Sequence, residues 1–290
     1  MIEARNVTKF FSVVNEDNTA DGITAVLSAS LTIEKGKFVS LLGPSGCGKS
    51  TFLEMLGGLQ APTEGACYID GKQVLETLPA TRKETIKYNR KYWLLSPLAN
   101  SFLKNKPKHD IAMIFQDYAV FPWMTVIKNV TFALKLRGVP RKERNGIAKE
   151  YLKKVGLDQS MNKYPSQLSG GMRQRLALAR ALAVKPKVIL MDEPFAAVDT
   201  LTRERLQDEL LTLIKESDIT IVMVTHDVNE ALYLSDEIVV FSANPGQIRN
   251  KFTIDVPHPR RRKDPELLEL NNRIAALLKY DTNHESEYVI

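Results

Sequence analysis

Apolar residues along the chain form short continuous runs, and the segments between several of these runs have helical periodicity. Runs of this kind predict strands that are buried on both faces, and they are Phe38–Leu42, Ile111–Phe115, Val188–Met191, Ile219–Thr225 and Ile238–Phe241. The segments that predict helices are Lys49–Leu56, Ser169–Val184, Thr202–Ser217 and Val228–Leu234. Because strands alternate with helices, we expect an α/β fold with a mainly parallel sheet.

Two regions depart from this alternation. Near the start of the chain, Ile2–Phe10 and Ala25–Ile33 alternate between apolar and polar residues, which predicts a separate small antiparallel sheet. Residues 117–167 lack a strand pattern and predict helices over Val126–Leu136 and Arg141–Val155. We therefore expect a helical subdomain inserted into the α/β core.

Two further segments carry an excess of basic residues. Residues 78–109 combine lysines and arginines with aromatic residues, which fits a solvated surface excursion, a docking element for a partner, or a nucleic-acid patch. Residues 256–290 predict a basic segment and then a helix, with Asp264 as its N-cap and Pro265 at its first position.

Composition excludes several classes of protein. The 290 residues are 44% hydrophobic and 26% charged with a net charge of +6, values that exclude disordered, collagen-like and coiled-coil chains. The longest apolar runs are far shorter than the about 20 residues of a membrane-spanning helix, and Met1–Arg5 does not open a signal peptide. The two cysteines, Cys47 and Cys67, have no Cys or His at metal-site spacing, so the sequence does not indicate zinc.

The strongest chemical signal is a glycine-rich loop between a predicted strand and a predicted helix. It matches the phosphate-binding pattern G-x-x-x-x-G-K-[ST], and its residues are Gly43, Pro44, Ser45, Gly46, Cys47, Gly48, Lys49, Ser50 and Thr51. The glycines allow successive backbone N–H groups to point at phosphate oxygens at a helix N-terminus. We expect Lys49 to reach the β- and γ-phosphates and the Ser50 hydroxyl to bind Mg²⁺.

Two carboxylates follow the predicted strand Val188–Met191. Asp192 at the end of such a strand can contribute to the Mg²⁺ site of a phosphate-loop protein. Glu193 is the next residue and can polarise an attacking water as a general base. The sequence therefore predicts a site for nucleotide hydrolysis.

A second helix start has the properties of an anion site. Ser169 is placed to cap the helix, and Gly170 and Gly171 expose backbone N–H groups at its N-terminus. The segment Leu168–Arg175 resembles the signature motif of the ATP-binding cassette (ABC) ATPases, and it lies between the phosphate loop and Asp192, as in that family. The resemblance implies the phosphate-loop NTPase fold, with a RecA-like parallel core, a small antiparallel subdomain and an inserted helical subdomain.

Four other residues match the family one by one. Phe11 resembles the aromatic residue that stacks on adenine, with Phe10 as the alternative. Gln116 resembles the glutamine that links the catalytic centre, including its Mg²⁺, to the helical subdomain. His226 resembles the histidine that contacts the γ-phosphate and the attacking water, and Asp199 resembles the aspartate that couples two nucleotide sites.

The resemblance also implies cofactors, partners and a place of action. It implies ATP and Mg²⁺, an ABC ATPase domain over residues 1–255, and a second cassette that is identical or related, so that Ser169 and Gly171 act on the partner's nucleotide. It implies permease subunits at the cytoplasmic face of the inner membrane, docked near Phe121–Val126, and indirectly a substrate-binding protein.

The branch of the family is indicated by short stretches near the C-terminus. Residues 242–248 and 256–262 are similar to ATPases of nitrate, sulfonate, taurine and bicarbonate importers. The function implied is ATP hydrolysis coupled to import of a small anion. The alternative is a soluble cassette ATPase that acts on nucleic acid or ribosomes, but that class usually carries two cassettes or a coiled coil, so no nucleic-acid partner is expected.

Overall fold

The structure is a computed structural model that describes residues 1–14, 20–75, 110–215, 217–242 and 245–284. The strands in chain order are β1 (Ile2–Val14), β2 (Ala20–Ile33), β3 (Phe38–Leu42), β4 (Glu64–Ile69), β5 (Lys72–Gln73), β6 (Ile111–Ile114), β7 (Val188–Asp192), β8 (Thr220–Thr225), β9 (Glu237–Phe241) and β10 (Ile248–Thr253). The α-helices are α1 (Lys49–Leu56), α2 (Val126–Leu136), α3 (Arg141–Lys154), α4 (Gly170–Ala183), α5 (Thr200–Ile214), α6 (Val228–Leu234) and α7 (Pro265–His284). The basic and aromatic segment at residues 78–109, with its three possible roles, lies outside the described residues.

The larger sheet confirms the expected parallel core. Among the described residues it has six strands in the order β10-β9-β3-β8-β7-β6, and the five from β9 to β6 run parallel. β3 and β8 are buried along their whole length, because helices cover both faces of the sheet. The carboxyl ends of β3, β8, β7 and β6 therefore meet at one edge, where ligands bind in open α/β sheets.

The smaller sheet confirms the expected antiparallel pair and extends it. Its order in the described part of the chain is β2-β1-β4-β5, with every neighbouring pair antiparallel. Both long strands continue past the predicted ends, because β1 reaches Val14 and β2 begins at Ala20. The inner face of β1 contributes Ile2, Ala4 and Val7 to the core shared with α1.

The helices α2 and α3 form a layer with α4. Their apolar faces meet in one cluster that includes Val130, Leu134, Leu152, Leu176 and Ala179, each 0% exposed. Because α4 also packs on the larger sheet through Ala177 and Leu178, it connects the helical layer to the edge where the strands end.

The C-terminal segment folds back onto α6. The Asp264 carboxylate accepts a hydrogen bond from the backbone N–H of Glu266 at 3.0 Å, which confirms it as the cap of α7. Leu267 and Ile274 on α7 pack on Ala231 and Leu232 of α6. Within the described ranges, no helix combines the length and the apolar character that crossing a membrane requires.

Candidate functional site

The phosphate loop closes around the Lys49 side chain. Gly48 is the N-cap residue of α1 and has a φ of +87°, and the backbone N–H of Phe52 donates to the Gly48 carbonyl at 2.8 Å. The Lys49 ammonium donates to the carbonyl oxygens of Gly43 at 2.9 Å and Pro44 at 2.7 Å, and Lys49 is 5% exposed. The sequence thus places a buried cation within the loop, at the N-terminus of a helix.

Cys47 forms the inner wall of this loop. Its side chain is 1% exposed, and its sulfur lies 3.4 Å from the Lys49 ammonium. Burial raises the pKa of the Cys47 thiol, and the neighbouring Lys49 opposes that shift. The thiol therefore packs as a small apolar group at neutral pH.

Ser50 and Asp192 come together although they are 142 positions apart in the sequence. The Ser50 hydroxyl donates to the Asp192 carboxylate at 2.8 Å. Burial is the main cause that raises the pKa of Asp192, while the hydrogen bond from Ser50 opposes it. The Ser50 hydroxyl and the Asp192 carboxylate offer oxygen ligands, the type that Mg²⁺ prefers. In proteins, Mg²⁺ is usually bound by one or two protein groups together with phosphates and water. These residues therefore fit the ion.

Glu193 and His226 form a second pair at the same edge. The His226 Nδ1 atom lies 3.3 Å from a Glu193 carboxylate oxygen, and the Glu193 and His226 side chains are 21% and 58% exposed. Glu193 has a φ of +43°, a conformation that residues other than glycine rarely adopt. Its backbone N–H donates to the Val224 carbonyl at 3.0 Å, which ties the strained residue to the neighbouring strand.

The signature segment confirms Ser169 as a helix cap. Its hydroxyl accepts from the backbone N–H of Met172 at 3.3 Å. A Cβ atom at Gly170 would lie 3.4 Å from the Ala197 carbonyl oxygen, and one at Gly171 would lie 3.0 Å from a methyl carbon of Thr202. The two glycines therefore allow α4 to start directly against the turn that leads into α5.

Asp199 caps that second helix. Its carboxylate accepts from the backbone N–H of Thr202 at 3.1 Å, and hydrogen bonding lowers the pKa of Asp199. Asp199 and Ser169 therefore begin the adjacent helices α5 and α4.

Two expected site residues lie apart from these pairs. Gln116 is exposed in the turn after β6, and in the part of the chain that the structure describes its side chain makes no hydrogen bond to Ser50 or Asp192. Phe11 on β1 is 38% exposed, with the Lys9 ammonium 5.1 Å from the centre of its ring. The Phe10 ring instead covers Gly22. It lies so close that a Cβ atom on Gly22 would be 1.7 Å from the Phe10 ring.

The structure adds polar residues that sequence reasoning missed. Glu230 is buried on α6 and accepts hydrogen bonds from the Thr225 hydroxyl at 2.5 Å and from the Gln207 amide at 3.0 Å. The only sequence signal was the spacing of Asp227 and Glu230, which resembles a capping box. Asp227 does cap α6, but the Glu230 side chain points to Thr225 and α5.

Taken together, the strand ends hold a cation-lined phosphate loop, an oxygen pair for a metal ion, and a carboxylate with an adjacent imidazole. Such a set can bind a nucleoside triphosphate and direct water at its terminal phosphate.

Comparison with known proteins agrees with this geometry. The family model described as ABC transporter matches residues 26–196. The chain is 38% identical over 276 residues to the nitrate import ATP-binding protein NrtD of Synechocystis sp., covering 92% of each protein. It is 42% identical over 243 residues to the bicarbonate transport ATP-binding protein CmpC of Synechococcus elongatus, covering 83% of this chain and 32% of that longer protein.

A solved structure gives the same result for the fold. The post-hydrolysis state of a dimeric ATP-binding cassette, bound to ADP and inorganic phosphate, superposes with a TM-score of 0.70 at 32% identity. The alignment covers 89% of this chain and 100% of that one. The chain therefore belongs to the ABC transporter family, as an ATP-binding cassette that hydrolyses ATP.

Proposed function

We propose that this cassette is the ATPase subunit of an importer for a small anion of the nitrate or bicarbonate type. The names of the relatives NrtD and CmpC support the substrate class. The cassette would act at the cytoplasmic face of the inner membrane with separate permease subunits, which receive substrate from a binding protein.

ATP binding rests on the phosphate loop. The backbone N–H groups of Ser45, Gly46, Cys47, Gly48 and Thr51 and the Lys49 ammonium would hold the phosphates, and the Phe11 ring would stack on the base. Ser50 and Asp192 would hold Mg²⁺, which neutralises charge on the β- and γ-phosphate oxygens when bound. Gln116 would join this site from the turn after β6.

Hydrolysis rests on Glu193 and His226, and their contact at 3.3 Å is the observation that carries this proposal. The Glu193 carboxylate would accept a proton from the attacking water. The exposed His226 ring would fix that carboxylate through Nδ1 and present its other nitrogen to the γ-phosphate. The positive φ of Glu193 is a strained backbone conformation of the kind that recurs at functional sites.

The second half of each nucleotide site would come from another cassette. Ser169, Gly170 and Gly171 present a capped helix N-terminus, which suits the phosphates of a partner's ATP. Asp199 begins the adjacent helix and would connect the two sites. The dimeric relative bound to ADP and phosphate supports this arrangement.

Coupling to the permease would use the start of the helical layer. Trp123 is 63% exposed in the turn before α2. Beside it an open groove of about 420 Å³ is lined by Met124, Lys128, Thr131, Phe132, Lys135, Arg141, Arg144 and Asn145. The four cations in this lining favour a permease segment with acidic residues.

The test is the substitution Glu193→Gln, with Glu34→Gln on an exposed position as the matched control. Removing a general base costs about 10²–10⁴-fold in rate. We therefore expect ATP turnover by Glu193→Gln to fall at least about 100-fold, while the affinity for a fluorescent ATP analogue stays within about threefold. Turnover near that of the control would remove Glu193 from the role of base.

A further inference from the structure

A chain of hydrogen bonds with a buried centre connects the C-terminal segment to the residues on either side of His226. Its outer member is Arg262, whose guanidinium donates to the Gln207 side-chain oxygen at 2.7 Å. The Gln207 amide donates to one Glu230 oxygen at 3.0 Å, and the Thr225 hydroxyl donates to the other at 2.5 Å. The Thr225 hydroxyl oxygen in turn accepts from the backbone N–H of Asp227 at 3.1 Å.

Burial makes this chain of bonds obligatory. Gln207, Glu230 and Thr225 are 2%, 6% and 2% exposed, so these three side chains have little access to water, whereas the Arg262 side chain at the outer end is 31% exposed. An unsatisfied polar group at such a depth is costly, and a buried network that is fully satisfied fixes one arrangement of its members. Burial also raises the pKa of Glu230.

Arg262 determines the direction of the hydrogen bonds. A guanidinium has five donors and no acceptor, so the Gln207 oxygen must face Arg262 and its NH₂ group must face Glu230. Arg262 is itself held by stacking on Tyr233 at 3.7 Å and by the Asp208 carboxylate at 3.1 Å. With Gln207 oriented, both Glu230 oxygens act as acceptors, as the Thr225 hydroxyl requires.

We propose that Arg262, Gln207 and Glu230 form a positioning relay, through which the C-terminal segment holds His226 against Glu193. His226 lies between Thr225, which bonds Glu230, and Asp227, which caps α6 and pairs with Arg203 at 3.5 Å. The relay therefore fixes the backbone on both sides of the imidazole. It makes a residue outside the matched family region, Arg262, part of the hydrolytic apparatus.

The relay rests on the proposed role of His226, so the experiment includes His226→Ala as a reference. In steady-state ATP hydrolysis by the full chain, we expect Arg262→Gln and Glu230→Gln each to lower kcat about tenfold or more, the loss from one displaced catalytic interaction. KM for ATP should stay within about twofold, because the phosphate loop is untouched. Arg261→Gln, at an exposed neighbouring position, is the matched control and should match the unsubstituted chain.

A swap separates positioning from a loss of folding. In the double variant Gln207→Glu with Glu230→Gln, the new carboxylate faces Arg262 and accepts from the new amide, whose oxygen accepts from Thr225. We expect the swap to restore kcat to within about threefold of the unsubstituted chain, although each single change lowers it. Melting temperatures are recorded for every variant.

The outcomes are distinct. If His226→Ala is inactive while Arg262→Gln and Glu230→Gln keep full kcat, the relay is overturned and the role of His226 stands. If the single variants lose kcat only in proportion to a lower melting temperature, or the swap restores nothing, the relay is also overturned. If His226→Ala hydrolyses ATP at the normal rate, the proposed role of His226 falls and the relay falls with it.

Discussion

The phosphate loop packs against the backbone of β2. Substitution of two glycines in the loop can distinguish the cost of backbone strain from the cost of a steric clash with β2. Gly46 and Gly48 have φ values of +80° and +87°, a region that costs other residues about 1–2 kcal/mol. A Cβ atom at Gly46 would have no neighbour within 4 Å in the described structure, whereas one at Gly48 would lie 2.2 Å from the Ala25 carbonyl oxygen and 3.0 Å from a Val26 methyl carbon.

The magnitude follows from these two environments. Gly46→Ala should destabilise by the strain alone, about 1–2 kcal/mol. Gly48→Ala adds the displacement of a backbone carbonyl, and such overpacking typically costs a further 1–3 kcal/mol or so. Since about 1 kcal/mol shifts the melting temperature of a large domain by roughly 2–4 °C, the Gly48→Ala melting point should lie several degrees below that of Gly46→Ala.

The assay is thermal unfolding of both variants without nucleotide, followed by ATP titration. Because the clash pushes the start of α1 away from β2, Gly48→Ala should also lose ATP affinity more than Gly46→Ala does. Equal melting points for the two variants would refute the reasoning, since it would mean that the loop does not rest on Ala25. A Gly46→Ala variant that is the less stable of the two would refute it as well.

Two further predictions concern single side chains. Phe11→Ala should weaken ATP binding about tenfold, in line with roughly 1–3 kcal/mol for stacking on a base. Phe10→Ala should leave ATP binding unchanged, because the Phe10 ring covers Gly22. An equal loss of ATP affinity in both variants would refute Phe11 as the adenine contact. Burial raises the pKa of the Cys67 thiol to about 12, and the thiolate is the reactive form. Labelling of Cys67 by iodoacetamide at pH 8 should therefore be slow in the native chain and fast in urea, and rapid native labelling would contradict the burial.

The parallel core could be predicted from the sequence because its strands are buried on both faces. The run Phe38–Leu42 is apolar except for the buried Ser40 and has the same bounds as β3, while the helical spacing of Val126–Leu136 has the same bounds as α2. β10 could not be found in this way. It lies at the edge of the sheet with Arg249, Asn250 and Lys251 exposed, so its pattern is as polar as that of a loop.

The ends of the antiparallel strands β1 and β2 also could not be predicted from the sequence pattern. β1 and β2 continue as a two-stranded ladder from the Phe10–Thr24 pair to the Val14–Ala20 pair. Phe10, Phe11 and Ser12 are all exposed there. Since alternation in a sequence reports that one face is buried, it stops where that face leaves the core, although the backbone pairing continues.

For the candidate site, the sequence predicts residues that carry a local motif and fails for residues that act through space. Lys49 and Ser50 follow from the spacing of the glycines, and Asp192 and Glu193 follow from the strand that they end. Gln207, on the other hand, is an ordinary polar residue in a helical pattern.

Its role appears only when the fold brings Gln207 on α5 against Glu230 on α6, 23 positions later, and against Arg262, 55 positions later. Arg262 offers only donors and the Glu230 carboxylate accepts, so both partners favour the same orientation of the Gln207 amide. Positioning residues of this kind are defined by the polarity of a three-dimensional network. They can therefore be assigned only from a structure, and tested by exchanging donor and acceptor within it.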